Sequence, residues 1–375
     1  MTTLATPLVF VPGLGFRSPD ALMLRAPVEH RAAEWTVSID SVIADHAGTR
    51  VALTIHGPFN MRSERGGPEI DYQGFIQARG RSGEVVSSER QRIFPLSHSV
   101  SHAAGVAISC TANMDPLPAT DDRIDILIGA PLPVTVIPIT LSPLSDFALP
   151  ARPLDVSDEH HGVVITAHAI ARGTDTTAVL LHASLLPHAR KRFMRSLGTL
   201  RDAPREPPGV TILDDAGSEL NAFASTRELS PGPELRMLAV FPGLSSAARA
   251  ATVTIPYVVL SEYTGMPVRL AVPFDGQITL GDDTALVKVA RQSAPRGGAA
   301  VGVQFTGSWR DERRLLYAES LTVGDTYGGV GFRGMPGEPP IQTYAEDPTG
   351  DATAVALESP VLQLRGPWRL PVALP

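Results

Sequence analysis

Residues 35–57 read WTVSIDSVIADHAGTRVALTIHG, two alternating apolar stretches joined by a short polar turn. Trp35, Val37 and Ile39 occupy every second position before the turn, and Val51 and Leu53 do so after it. Alternation at period two, with Val, Ile and Thr enriched, is typical of half-buried antiparallel strands. We therefore predict two strands here, which either pair as a hairpin or face each other across a sandwich.

The same pattern returns twice further along the chain. One copy runs from Val163 through RGTDT to His182, and another runs from Ile278 through QSAPRGG to Phe305. A glycine-containing turn follows each opening after about fifty residues, and apolar strands with a Pro/Gly kink close each copy. A large all-β protein without repeats is the alternative explanation of these patterns.

The repeated pattern predicts an all-β chain of three tandem immunoglobulin-like β-sandwich domains. We expect an extended N-terminal segment over 1–34, a first sandwich over 35–150, a second over 151–274 and a third over 275–375. Prolines at 138, 256, 273 and 371 interrupt candidate strands and predict sheet edges, bulges or points where a strand changes sheet. The segment from Leu185 to Leu200 is the one candidate for a short amphipathic helix, with a solvated loop as the alternative.

Composition narrows the possible partners. The chain carries 32 basic and 39 acidic residues along its 375 positions, a net charge of -7, so we expect no nucleic-acid partner. No segment reaches the roughly 18 uncharged apolar residues that span a bilayer, which predicts no membrane span in this chain. The single cysteine, Cys110, excludes an intrachain disulfide.

Candidate catalytic and metal-binding patterns are weak. The stretch LVFVPGLGF at Leu8 to Phe16 superficially resembles the start of an α/β-hydrolase, but the sequence has no G-x-S-x-G nucleophile motif. His160 and His161 are adjacent, and neighbouring residues of a strand point to opposite faces, so they are not expected to share a metal ion. We therefore predict a non-enzymatic protein without metal or cofactor, with an uncharacterised hydrolase as an alternative.

The three tryptophans differ in their surroundings. Trp35 and Trp368 lie in apolar alternation and are expected in the core, whereas Trp309 lies in the polar stretch GSWRDERR. An aromatic ring flanked by Arg310 and Arg313 is suited to contact a sugar or another small ligand. We predict these three residues as ligand-binding, with an ordinary packing or hairpin role for Trp309 as the alternative.

The N-terminal part resembles the extracytoplasmic region of bacterial anti-sigma-factor-like membrane proteins. The resemblance rests on FVPGLGF at 10–16, LMLRAPVE at 22–29 and the stretch 35–57. In that family a T-x-V-x-L strand follows the first turn; Thr49, Val51 and Leu53 supply it here, and so do Thr177, Val179 and Leu181. The third copy departs from the motif, with Ala300, Gly302 and Gln304 in its place.

The resemblance implies a function but not a chemistry. The sigma-binding helix bundle and the membrane span of that family have no counterpart in this sequence. The chain then corresponds to the extracytoplasmic, envelope-associated part of a regulator that binds or senses a protein or glycan ligand. A carbohydrate or small-ligand binding module is the alternative function.

Overall fold

A computed structural model describes residues 8–12, 15–46, 48–58, 75–87, 90–95, 106–117, 121–129, 132, 134–144, 148–186, 191–193, 209–227, 233–263, 265–293, 298–323, 326–328, 331–333, 341–347 and 349–375. The chain divides into two compact units, Met1–Pro150 (unit 1) and Ala151–Pro375 (unit 2). The regular structure in the described ranges consists of antiparallel β-sheets, which confirms the predicted all-β sandwich class. The predicted bounds of the first sandwich, 35–150, stay a prediction.

Most strands of unit 1 form a sandwich of two sheets. Its strands are β1 (Val9–Val11), β2 (Gly15–Arg17), β3 (Leu22–Met23), β4 (Val28–Ala32), β5 (Trp35–Asp45), β6 (Gly48–Gly57), β7 (Ile76–Arg79), β8 (Val85–Ser87), β9 (Arg90–Pro95), β10 (Val106–Met114), β11 (Arg123–Ile128), β12 (Thr135–Thr140) and β13 (Ser142–Pro143). One sheet runs β13-β3-β5-β6-β10-β9 with β4 also on β5, and the other runs β12-β11-β7-β8. The strands β1 and β2 belong to the sheet that contains β14 (Leu149–His160). Val37 and Leu53 of the first sheet and Ile126 of the second are fully buried in one core.

Unit 2 contains the remaining strands, of which β14 begins at the last residues of unit 1. They are β14 (Leu149–His160), β15 (Val163–Arg172), β16 (Thr176–Leu185), β17 (Lys191–Phe193), β18 (Thr211–Asp214), β19 (Glu219–Asn221), β20 (Ala224–Arg227), β21 (Glu234–Pro242), β22 (Ala250–Glu262), β23 (Val268–Ala271), β24 (Phe274–Leu280), β25 (Asp283–Ser293), β26 (Ala299–Gly307), β27 (Arg313–Val323), β28 (Thr326–Gly328), β29 (Gly331–Arg333), β30 (Ile341–Glu346) and β31 (Ala354–Ala373). Two sheets contain the orders β14-β15-β16-β21-β20 and β24-β25-β26-β30-β29. The third runs β19-β18-β22-β31-β27-β28, with β17 on β22 and β23 on β31.

One strand order occurs three times in these sheets. Three sheets contain the equivalent orders β4-β5-β6-β10-β9, β14-β15-β16-β21-β20 and β24-β25-β26-β30-β29. The facing sheets share β12-β11-β7-β8, β31-β22-β18-β19 and β23-β31-β27-β28. We refer to these as the first, second and third repeat. The predicted boundary at 274 between separate sandwich domains stays a prediction, because two strands of unit 2 belong to both of its repeats.

Those two strands are β22 and β31. Trp368 and Leu370 of β31 are buried in the core of the second repeat, whereas Val355 and Leu357 of the same strand are buried in that of the third. On β22, Ile255 packs into the second core and residues 257 and 259 pack into the third. Each core of unit 2 therefore depends on strands that also complete the other.

The segment from Leu185 to Leu200 contains a strand. Leu185 ends β16, and Lys191–Phe193 forms β17 against β22; residues 187–190 and 194–200 lie outside the described ranges. The buried ring of Phe193 explains why the chain is extended there. In the described ranges, no helix has the length and apolar character needed to cross a membrane.

Candidate functional site

The turn that carries Trp309 is a tight two-residue hairpin in unit 2. The backbone N–H of Arg310 donates to the carbonyl of Arg313 at 2.7 Å, and the N–H of Arg313 donates back at 2.8 Å. The central residues Asp311 and Glu312 have φ of 46° and 64°, as a type I′ turn requires. Neither is glycine, so each left-handed residue costs about 1 kcal/mol. Such strain is concentrated at functional sites in proteins.

Two arginines hold the indole ring of Trp309, which is 36 % exposed. The guanidinium carbon of Arg365 lies 4.2 Å from the ring centroid and that of Arg314 lies 4.9 Å from it, both within the range of cation–π attraction. Arg314 also donates from Nε to Gln363 Oε1 at 2.9 Å. The backbone N–H of Arg365 donates to the carbonyl of Glu312 at 2.8 Å, which ties β31 to the turn.

Arg365 differs from Arg314 because its guanidinium is available to bind a ligand. In the part of the chain that the structure describes, the guanidinium of Arg365 has no hydrogen-bond or ion-pair partner. Its guanidinium lies against the ring, and the residue is exposed. Its N–H groups are therefore accessible donors on the surface of unit 2.

The structure separates the two arginines that the sequence treats alike. The side chain of Arg310 is 74 % exposed and lies 3.9 Å from the carboxylate of Asp311. Arg313 instead turns inward, with Nη2 2.7 Å from Asp283 Oδ2 and 3.8 Å from Glu262 Oε2. Arg313 therefore supports the base of the turn, while Trp309 and Arg310 lie on its surface.

A histidine that the sequence does not predict as a binding residue joins this surface. His161 Nε2 lies 2.9 Å from Glu312 Oε2. Its neighbour His160 faces elsewhere, 3.4 Å from Asp158 and edge-on to the ring of Trp368. The sequence offered no signal for the contacts of His161 or Arg365, because only the strand pairing of unit 2 brings them to the turn.

A cavity of about 230 Å³ lies elsewhere in unit 2, lined by Lys191, Arg192, Ser261, Tyr263 and Ser359. Its two basic side chains have carboxylate partners: Arg192 binds Glu319, and Lys191 lies 3.9 Å from Glu262. Burial pushes the pKa of Glu319 up, but hydrogen bonds from Arg192 and Ser261 outweigh it and lower the pKa below its usual value. The lining is therefore polar and charge-matched, which suits an uncharged polar molecule better than an anion.

Among the described residues, the cysteine thiol and the potential metal-ligating side chains do not form a catalytic or metal centre. Burial raises the pKa of the Cys110 thiol to about 12, so it stays protonated at neutral pH. Within the described ranges, no three His, Cys, Asp or Glu side chains are grouped as metal ligands.

Comparison with known proteins leaves the family open. No family model and no curated protein matches the chain. A solved structure described as "The crystal structure of the conserved domain protein from Bacillus anthracis" is similar with a TM-score of 0.33 and 10 % sequence identity. That similarity covers 74 % of this chain and 88 % of the other.

Proposed function

We propose that this chain is a non-enzymatic binding or sensing protein that recognises an acidic ligand at the Trp309 turn. The observation that carries the proposal is the 4.2 Å cation–π contact between Arg365 and the exposed ring of Trp309. A guanidinium in this setting matches the two oxygens of a carboxylate or sulfate group. The ligand class is an acidic glycan or an acidic protein segment.

The chemistry of the turn favours such a ligand in three ways. The indole supplies a flat apolar surface against which a sugar ring or a side chain can pack. Arg310 adds an exposed guanidinium beside it, with its charge partly offset by the Asp311 carboxylate 3.9 Å away. The ion pair of Arg313 with Asp283 fixes the base of the turn before binding, which reduces the entropy lost when a ligand is held.

The test is a fluorescence titration of the full chain with matched neutral and uronate-containing oligosaccharides and with an acidic peptide. Because Trp35 and Trp368 are buried, the change in emission is expected from Trp309 and to vanish in Trp309→Phe. Arg365→Gln should weaken binding about tenfold, the effect of losing one charged hydrogen-bonding group. Arg269→Gln, at an exposed arginine of β23, is the matched control and should bind normally.

Two results would contradict the proposal. One is equal affinity for the neutral and acidic members of the panel, because the guanidinium fork is then not used. The other is cleavage of the ligand during the titration, detected by mass spectrometry, which would make the protein an enzyme and favour the hydrolase alternative.

The wider role proposed is that of an extracytoplasmic, envelope-associated regulator, as the resemblance to anti-sigma-factor-like proteins implies. The proposed regulator role rests on the sequence resemblance of residues 10–57 and not on the Trp309 turn. A sigma-factor gene adjacent to the gene for this chain would support it. Secretion assays that find the protein only in the cytoplasm would contradict it.

A small-ligand binding module remains a second candidate because of the cavity beside β17. Its volume of about 230 Å³ and its charge-matched lining suit a neutral molecule the size of one sugar ring. Neutral monosaccharides should then bind the wild type and lose affinity in Tyr263→Ala, which removes a 63 % exposed ring. Binding that is equal in Tyr263→Ala and wild type would exclude the cavity.

A further inference from the structure

Unit 1 carries a surface rich in arginine, formed by residues that the sequence did not single out for binding. A depression of about 570 Å³ lies over the ends of β7, β11 and β12. The polar and exposed residues that line it include Arg79, Arg81, Arg123, Asp125, Pro138 and Thr140. Three of these six side chains are guanidinium groups.

The strand register explains why these side chains share one face. Arg79 of β7 is opposite Asp125 of β11, which is opposite Pro138 of β12. Arg123 lies two residues before Asp125 on β11 and is opposite Thr140. Side chains two residues apart on a strand lie on the same face, so both rows point away from the core.

The three arginines on this face differ in their partners. Arg79 is paired with Asp125, with Nη2 2.5 Å from Oδ2. Arg81 lies 3.5 Å from Asp122, a loose contact between two exposed side chains. Arg123 has no hydrogen-bond or ion-pair partner in the described part of unit 1, although its side chain is exposed at the edge of the depression. The lining therefore carries three guanidinium groups and one carboxylate, with the carboxylates of Asp121 and Asp122 beside Arg81, and Arg123 is left without a carboxylate of its own.

The second repeat provides an internal comparison because it contains the same turn beside the same strands. In unit 1, Gly80 N–H donates to Glu84 O at 3.0 Å and Gly83 N–H donates to Gly80 O at 3.0 Å. In unit 2, the corresponding bonds from Asp214 to Ser218 and from Gly217 to Asp214 are both 3.1 Å. Gly83 and Gly217 also share a left-handed φ, of 83° and 86°.

The equivalent positions of the second repeat lack the arginines. Leu213 is opposite Thr252, which is opposite Pro371, so this row matches Arg79, Asp125 and Pro138. By the same register, Ala250 is equivalent to Arg123 of unit 1. In the matched turn, Asp215 is equivalent to Arg81. Asp215 accepts hydrogen bonds from the backbone N–H groups of Arg249 and Ala250, a structural role. The fold thus forms without basic residues at these positions.

We propose that the depression over β7, β11 and β12 binds a small molecule through a phosphate or sulfate group. Arg123 and Arg81 contact the oxyanion, because a guanidinium matches the oxygens of a tetrahedral anion with paired N–H donors. Arg79 is held by Asp125 and acts as a positioning residue. The hydroxyl of Thr140, opposite Arg123, supplies a further donor.

The experiment is calorimetric titration of the full chain with inorganic phosphate and with inorganic sulfate, at constant ionic strength. Saturable binding is expected in the wild type. Arg123→Gln should weaken it about tenfold, and Arg81→Gln should weaken it to a similar or smaller extent. Arg31→Gln is the matched control, because Arg31 is a unit 1 arginine with a 79 % exposed side chain whose carboxylate partner is Glu29.

The outcomes distinguish a specific anion-binding site from nonspecific electrostatic attraction of anions to the protein. Loss of affinity in Arg123→Gln with normal affinity in Arg31→Gln supports the site. Equal losses in both variants, or no saturable binding by the wild type, overturn it. The fluorescence titration at Trp309 is independent of this result, since the variants lie in different units.

Discussion

The first and second repeats close the same sheet in different ways. In unit 1, β11 is followed by β12, and the two pair as a local hairpin over Arg123–Ile128 and Thr135–Thr140. In unit 2, the strand at the position of β12 is the C-terminal part of β31, which reaches β22 only after β23 to β30 have formed the third repeat. A local hairpin makes the first repeat complete in itself. The distant strand makes the second repeat depend on the end of the chain.

This difference predicts different cooperativity in the two units. Both cores of unit 2 contain residues of β22 and β31, so neither can open without disturbing a strand of the other. The core of unit 1 draws on β3 to β12 and the segments between them. We therefore expect unit 2 to unfold as one cooperative body and unit 1 to unfold separately.

The largest expected effect is that of removing residues 367–375. This deletion takes Trp368, Leu370, Val372 and Leu374 out of the second core. At about 1.5–3 kcal/mol for each buried side chain, the loss approaches the whole stability of an ordinary domain. Differential scanning calorimetry should show the transition of unit 1 and lose that of unit 2. Deleting the exposed Pro375 alone is the control, and an unchanged second transition in the longer deletion would contradict the account.

A single substitution sharpens the comparison. Trp368 is fully buried and donates from Nε1 to the carbonyl of Val163 at 3.0 Å. Trp368→Ala should destabilise unit 2 by about 3–5 kcal/mol and leave unit 1 unchanged. Trp35→Ala should do the reverse, because Trp35 is buried in the core of unit 1. Urea unfolding followed separately in the two units measures both, and a shift of both units in either variant would argue against independent unfolding.

Breaking the ion pair between Arg313 and Asp283, below the Trp309 turn, should destabilise unit 2 less than the core substitutions do. In Asp283→Ala, Arg313 loses its 2.7 Å partner in a site where both side chains are mostly buried. Breaking such a pair on one side costs about 3 kcal/mol. Asp282→Ala is the matched control, since Asp282 is the exposed neighbour of Asp283. Equal midpoints of urea unfolding for the two variants would show that Arg313 does not depend on Asp283.

The smallest expected change in unfolding free energy is that of substituting the equivalent turn glycines, Gly83 and Gly217. An added Cβ at Gly83 or at Gly217 would meet no atom within 4 Å, so only the left-handed backbone opposes alanine. Gly83→Ala and Gly217→Ala should each cost about 1 kcal/mol, the first in unit 1 and the second in unit 2. Asparagine at either position should cost less, because it adopts this conformation more readily. Clearly unequal costs for the two alanine variants would argue against equivalent turns.

Local sequence signals predicted much of the fold. Alternation of apolar and polar residues predicted the strands. Prolines predicted edges and irregularities: Pro138 lies on the edge strand β12, and Pro256 lies where the register of β22 shifts between Ile255 and Tyr257. Trp35 and Trp368 are buried as expected. These features depend on near neighbours in the chain, which a sequence pattern reports directly.

Features that depend on distant pairing could not be predicted. The apolar pattern of 354–373 identifies strand character but not that one strand serves two cores. The contacts of Trp309 with Arg314 and Arg365 require the register of β27 against β31. The different directions of Arg310 and Arg313 follow from Asp283, a residue on another sheet.

Native-state hydrogen exchange in rising guanidinium concentration tests the central claim most directly. Amides of β16 in the second repeat, of β26 in the third and of β6 in unit 1 would be followed together. If β31 couples the cores of unit 2, the amides of β16 and β26 will converge on one free energy of opening, and those of β6 will follow another. Separate free energies for β16 and β26 would contradict the claim, because each repeat would then open without the other.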